Sequence, residues 1–171
     1  KFPVLRADDI SKEILENDAK VHTLVIKEFG ENSFKGKKPN KSFLAKEVFS
    51  EPAKLQKLES ILHPRVIKSI EKSSAEFLKV NKLVFVEAAL IYEADMEDMF
   101  DYVVLVTAQR NLRLERKISS GISEEDFCKR EANQIPEEEK KKRADFIFSN
   151  DTTIEDLKSK FNLLLITLGI N

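Results

Sequence analysis

The chain has no tryptophan, one cysteine and two histidines among its 171 residues. The lone thiol, Cys128, cannot form an intramolecular disulfide, and its charged, helical-looking surroundings mark it as a structural bystander. His22 and His63 have no cysteine or histidine cluster beside them, so a histidine-held metal centre is set aside. No apolar run approaches the ~20 residues that cross a bilayer, and the apolar start at residues 2–5 is far too short for a signal peptide. Nor is there an excess of charge: 29 Lys and Arg against 30 Asp and Glu give a formal net charge of −1. A coat for nucleic acid or for an anionic membrane needs a basic surplus. The expectation is a soluble, cytoplasmic protein with neither partner. Internal repeats are missing too, and the length fits one compact domain over residues 1–171 that can bury a core without staples.

What is present is an alternation. Four short apolar runs, at residues 2–5, 83–86, 103–106 and 146–148, are separated by long amphipathic segments. Wholly apolar runs of this kind predict buried parallel strands with crossover helices, an α/β layered fold. Between the first two runs, Leu44, Val48, Leu55, Leu58 and Leu62 recur at helical spacing, with Ser50-Glu51-Pro52 as a cap and first turn. The stretch 31–40, with Gly36, Pro39 and several lysines, reads as a surface loop and a hinge into a helical subdomain over 40–79. His63-Pro64 predicts a break or a kink between two helical segments that presents the imidazole. Residues 112–142 are dense in charge. Ser123 and Asp126 have capping-box spacing there, Ile135-Pro136 ends the helix, and Thr152 with Glu155 opens the last one.

Chemistry is expected where the first strand ends. Open α/β sheets bind ligands at the carboxyl ends of their strands, and Asp8 falls there, placed to accept a proton from an attacking hydroxyl or to help hold Mg²⁺ near phosphates. Asp9 is its competitor, and helix capping by either is the plainer alternative. The cations of 112–142, among them Arg113, Arg116, Lys117, Arg130 and Lys140, fit a lid that closes over phosphates. Interleaved glutamates allow a second account, a solvated face of i,i+4 pairs. The same glutamates, and the scarcity of aromatics, argue against a nucleic-acid groove.

In this order the segments resemble the dephospho-CoA kinase family of P-loop kinases, along essentially the whole chain. Val4-Leu5-Arg6-Ala7-Asp8 is similar to a strand ending in Asp-Ala-Asp. Leu44 to Phe49 and Leu62-His63-Pro64 match Leu-x-x-x-Val-Phe and Leu-His-Pro signatures, and Glu87-Ala88-Ala89-Leu90-Ile91-Tyr92-Glu93 matches a strand-end motif of paired Leu then Glu. Arg130, Gln134, Pro136, Lys140, Ala144-Asp145 and Asn150 fall at family spacing. The resemblance implies a parallel-sheet P-loop NTPase core, a helical subdomain for the CoA side at 40–79 and a helical lid at 112–142. It implies ATP-dependent phosphorylation of the ribose 3′-hydroxyl of dephospho-CoA, the last step of coenzyme A synthesis, with ATP and Mg²⁺ as cofactors. Asp8 is then the base, and Arg116, Arg130 and Lys140 are lid cations or lid scaffolding. His63, Glu87, Leu90 and Gln134 fall to the acceptor, and Asn150 to the nucleotide.

The chain departs from the family pattern in three places. The sequence contains no Gly-x-x-x-x-Gly-Lys-Ser/Thr, so these residues are expected to follow a separate strand and phosphate loop, without which they transfer no phosphate and do not fold alone. Arg6 stands where the first aspartate of Asp-Ala-Asp belongs, and Ser119 or Ser120 where a lid arginine belongs. Two alternatives remain at this stage: a non-catalytic homologue that binds CoA or nucleotide, and a P-loop kinase for another small acceptor.

Overall fold

A computed structural model describes residues 2–170, the side chains of residues 49 and 50 apart. The chain divides into two compact units, Lys1–Ala89 and Leu90–Asn171.

The first unit opens with strand β1 (Val4–Arg6), which runs directly into helix α1 (Ala7–Asn17). Helix α2 (Ala19–Phe29) follows after one residue, Asp18, whose carboxylate accepts from the Lys20 and Val21 amides at 2.8 and 3.1 Å. Those two donors would otherwise lack partners at the helix start. Gly30 ends α2 at φ 87°, a conformation that glycine adopts without penalty. A small antiparallel hairpin, β2 (Phe34–Lys35) and β3 (Lys38–Pro39), occupies the segment read as a loop. Two-residue strands are too short to leave an alternating pattern. Helix α3 (Lys41–Ser50) and the long helix α4 (Pro52–Leu78) complete the helical layer. Strand β4 (Phe85–Glu87) then returns to pair in parallel with β1.

The core of this unit is apolar and continuous: Val21, Val25, Phe34, Leu44, Ile61 and Leu62 are buried together, with Ile14, Leu15, Ile26, Phe29 and Leu58 packed against them. The leucines at helical spacing thus face one another across α3 and α4. Two expectations need correction. Pro52 takes the first helical position of α4 as its fixed φ favours, but the cap is Glu51, which makes no side-chain capping bond; the Ser50 side chain lies outside the described residues. Pro64 does not separate two helices, because α4 continues through it. The next residue ties this part of α4 to its surroundings: the Arg65 guanidinium donates to the Ile61 carbonyl at 2.8 Å and reaches the Asp18 carboxylate at 3.6 Å.

Asp18 therefore serves α2 and α4 at once, and its pKa lies below the usual carboxylate value, first through the Val21 amide, with help from Lys20 and Arg65. A depressed folded pKa means the unfolded chain binds more protons, so this stabilisation is present above the ordinary carboxyl pKa of ~3.9 and fades as pH falls through the lower folded value. Asp18→Ala is expected to cost about 0.5–2 kcal/mol at neutral pH. Urea unfolding from pH 7 downward should show the gap to wild type closing below about pH 4.

The second unit carries strand β5 (Val104–Thr107), then helices α5 (Arg110–Ser119), α6 (Glu124–Ala132) and α7 (Glu137–Arg143). Strand β6 (Phe146–Ser149) returns parallel to β5, and helix α8 (Ile154–Thr167) closes the unit. Ser123 caps α6 by accepting from the Asp126 amide, as its spacing predicts. The cap of α8 is Thr153, one residue later than expected, accepting from Asp156 at 3.2 Å, while Thr152 donates to the Asp156 carboxylate.

The four apolar runs all become strands, in two parallel ladders of two strands each, β1–β4 and β5–β6. They are less covered than wholly apolar runs predict. Val4, Val106 and Ile147 stay about half exposed. A groove of about 290 Å³ lies between β6 and α8, lined by Phe146, Phe148, Leu163 and Leu164 among others. Among the described residues, no helix is long and apolar enough to cross a membrane.

Candidate active site

In the first unit, functional groups gather at the carboxyl end of the β1–β4 ladder. The register pairs Arg6 with Glu87, and their side chains form an exposed ion pair at 3.4 Å. Arg6, in the place of the family's first aspartate, thus neutralises a carboxylate on the neighbouring strand end. Asp8 lies just beyond, in the first turn of α1. Neither aspartate caps that helix: the cap position is Arg6, without a side-chain capping bond. The two carboxylates also separate in use. Asp9 accepts from Lys12 at 3.0 Å, a bond that raises the lysine pKa above its usual value. Asp8 is exposed and has no side-chain hydrogen bond or ion pair among the described residues. His63 belongs to this unit too, half-buried in the middle of α4 next to buried Leu62.

In the second unit a comparable cluster forms at the carboxyl end of β5–β6. The Asn150 amide donates to the Thr107 carbonyl at 2.7 Å, and its own carbonyl accepts from Arg116 at 2.9 Å. Asp151 accepts from the Gln109 amide at 2.7 Å, tying the start of α5 to the end of β6. Arg116 makes no ion pair among the described residues, so its bond to a neutral carbonyl leaves its charge uncompensated.

Most other lid cations are committed to glutamates. Glu131 receives Arg110 at 2.8 Å and Arg113 at 3.1 Å; Lys129 pairs with Glu125, Lys141 with Glu137 and Glu138, and Lys142 with Glu139. For these residues the paired, solvated face is what the structure contains. Arg130 is exposed on α6, and Gln134 lies exposed in the turn that follows.

Lys140 differs from both accounts. It is buried, and its ammonium lies 2.7 Å from Glu93, at side-chain exposures of 10% and 14%. In this structure its ammonium faces a carboxylate in the interior. The same Glu93 oxygen accepts from the Ile135 amide at 2.9 Å, and its second oxygen is buried without a partner among the described residues. Around them Arg143 pairs with Glu97 and lies over the Tyr92 ring at 4.7 Å. Burial holds the Tyr92 phenol above its usual pKa, so it stays neutral. Leu90 is half-buried at the start of this segment. Sequence reasoning quoted Glu93 as part of a motif without giving it a role. A carboxylate closing an apolar stretch was the available signal.

The described residues contain no group of three or more His, Cys, Asp or Glu side chains able to hold a metal alone. Mg²⁺ is usually held by one or two carboxylates together with waters and substrate phosphates, and the exposed carboxylate of Asp8 is one oxygen donor able to take part in such a shell.

Comparison with known proteins gives this arrangement its context. A dephospho-CoA kinase family profile matches residues 1–156. The dephospho-CoA kinase of Lactobacillus johnsonii is 30% identical across 99% of this chain and 87% of its own length, and that of Aquifex aeolicus is 36% identical across 90% and 78%. A crystal structure of a Thermus thermophilus protein superposes with a TM-score of 0.81 at 32% identity, covering 98% of this chain and 85% of that one. The dephospho-CoA kinase from Campylobacter jejuni gives 0.70 at 28% identity, covering 98% and 86%. With its parallel α/β ladders and matching sequence, the chain belongs to the dephospho-CoA kinase family, whose members have the P-loop NTPase fold.

Proposed function

We propose that the chain carries the acceptor-activating and lid elements of an ATP-dependent kinase that phosphorylates the ribose 3′-hydroxyl of dephospho-CoA. The observation that carries the reading is Asp8: an exposed carboxylate, free of side-chain hydrogen bonds among the described residues, in the first turn of a helix at the carboxyl end of a parallel ladder. There it accepts the proton of the attacking hydroxyl as the oxygen bonds to the γ-phosphorus of ATP, while the bond from that phosphorus to the β–γ bridging oxygen breaks and ADP leaves. Mg²⁺ bound beside it would neutralise charge on the phosphates. Arg116 and Arg130 serve as lid cations for phosphate, and Asn150, whose backbone carbonyl accepts from Arg116, serves the nucleotide. His63, Glu87, Leu90 and Gln134 serve the acceptor, and residues 40–79 and 112–142 act as acceptor subdomain and lid. Lys140, turned inward to Glu93, stands outside the phosphate-binding set. The protein works in the cytoplasm, on small molecules and not on nucleic acid or membranes.

The test is side-by-side turnover by the intact protein with ATP and either dephospho-CoA or nucleoside monophosphates. Dephospho-CoA should be preferred by at least about 10²-fold in kcat/KM, because a site that binds acceptor polar groups rejects ligands lacking them. Equal use of a nucleoside monophosphate would replace this reading with a kinase for another acceptor.

A further inference from the structure

We propose that Glu93 is a positioning residue, which fixes the turn carrying Gln134 against the segment carrying Leu90. This rests on the acceptor reading above for what those two residues bind. The geometry stands without it. One oxygen of Glu93 takes two donors, the Lys140 ammonium at 2.7 Å and the Ile135 amide at 2.9 Å, 42 residues away in sequence. Ile135 lies between Gln134 and Pro136, and Pro136 has no N–H and opens α7 without a side-chain cap. The Asn133 and Gln134 amides donate back to α6, at the Arg130 and Glu131 carbonyls, and the Ile135 amide is the donor that joins this turn to the segment 90–96. On the other side, Leu90 and Glu93 share a turn locked by its own backbone bonds, Ala94 to Leu90 at 3.1 Å and Met96 to Ile91 at 2.9 Å, with Asp95 at φ 49°. A rigid turn and a clamped turn meet at one carboxylate.

Stability alone is a poor reason for this pair, since well-packed apolar residues replace buried ion pairs at little or no loss. A directional acceptor does what an apolar side chain cannot: it sets the register of two segments to within a hydrogen-bond length. Lys140 acts through Glu93, as the cation paired with its bonded oxygen at 2.7 Å, both side chains being largely buried.

Two double variants separate positioning from scaffolding. Glu93→Gln with Lys140→Met removes both charges and keeps an acceptor for Ile135; Glu93→Leu with Lys140→Met removes the acceptor too. Both should melt close to wild type. The first should keep KM for dephospho-CoA within about threefold, and the second should raise it about tenfold or more with KM for ATP unchanged. Hydrogen exchange at the Ile135 amide gives a reading that needs no turnover: protection is retained in the Gln variant, and exchange is about tenfold faster or more in the Leu variant. A Leu variant with wild-type KM and wild-type protection at Ile135 overturns the proposal, as does an equal rise of KM in both variants. Should the parent protein not use dephospho-CoA at all, the kinase reading fails while Ile135 exchange still decides the clamp.

Discussion

Asp8→Asn in the intact protein is expected to lower kcat by roughly 10²–10⁴-fold, with KM for ATP nearly unchanged. The amide keeps the size of the side chain and removes the site that takes the proton. Since Asp8 is exposed and makes no side-chain hydrogen bond among the described residues, the variant should melt within about 0.5 kcal/mol of the parent. Lost turnover would then be a chemical effect. Asp9→Asn is the matched control: its carboxylate is occupied by Lys12 at 3.0 Å, so its loss should leave kcat within about threefold. Steady-state kinetics and thermal melts of the two variants decide the matter, and an Asp8→Asn protein turning over at the parental rate would take the base assignment away.

Lys140→Met has the largest expected effect on stability. It leaves the Glu93 carboxylate at 14% exposure with the Ile135 amide as its donor and no counter-charge within the pair. Removing one partner of a buried pair costs roughly 3–5 kcal/mol, a large share of a typical total of ~5–15 kcal/mol. By contrast Lys142→Met, which breaks a pair exposed at 69% and 55%, should cost no more than about 1 kcal/mol. Denaturant unfolding of both variants makes the comparison. If they are alike, water reaches the Lys140 pair in solution and the buried account is wrong.

The positions of the strands were legible because each is a wholly apolar run between polar segments, and Asp8 was legible because a strand end fixes where a carboxylate must emerge. The lid's charges were legible as a pattern but not by residue. Composition does not say that Lys140 turns inward while its neighbours Lys141 and Lys142 stay with glutamates on their own helix. That distinction depends on Glu93, which lies far off in sequence and which only the tertiary fold brings to 2.7 Å. The β2–β3 hairpin was hidden by its brevity, and the continuity of α4 through Pro64 by packing: nothing in the spacing of Leu62-His63-Pro64 reveals that Ile61, Leu62 and Val66 are buried on both sides of the proline.

The proline also makes α4 mechanically uneven. At every other interior turn, bending the helix means stretching an amide-to-carbonyl bond. At Pro64 there is no N–H to reach the Ser60 carbonyl, so a bend there stretches one bond fewer. The helix therefore has a compliant joint one residue past His63, with stiff rods on either side. Arg65 spans that joint, bonded to the Ile61 carbonyl and reaching the carboxylate that starts α2, so α2 is tied to the long helix at the place where it bends most easily.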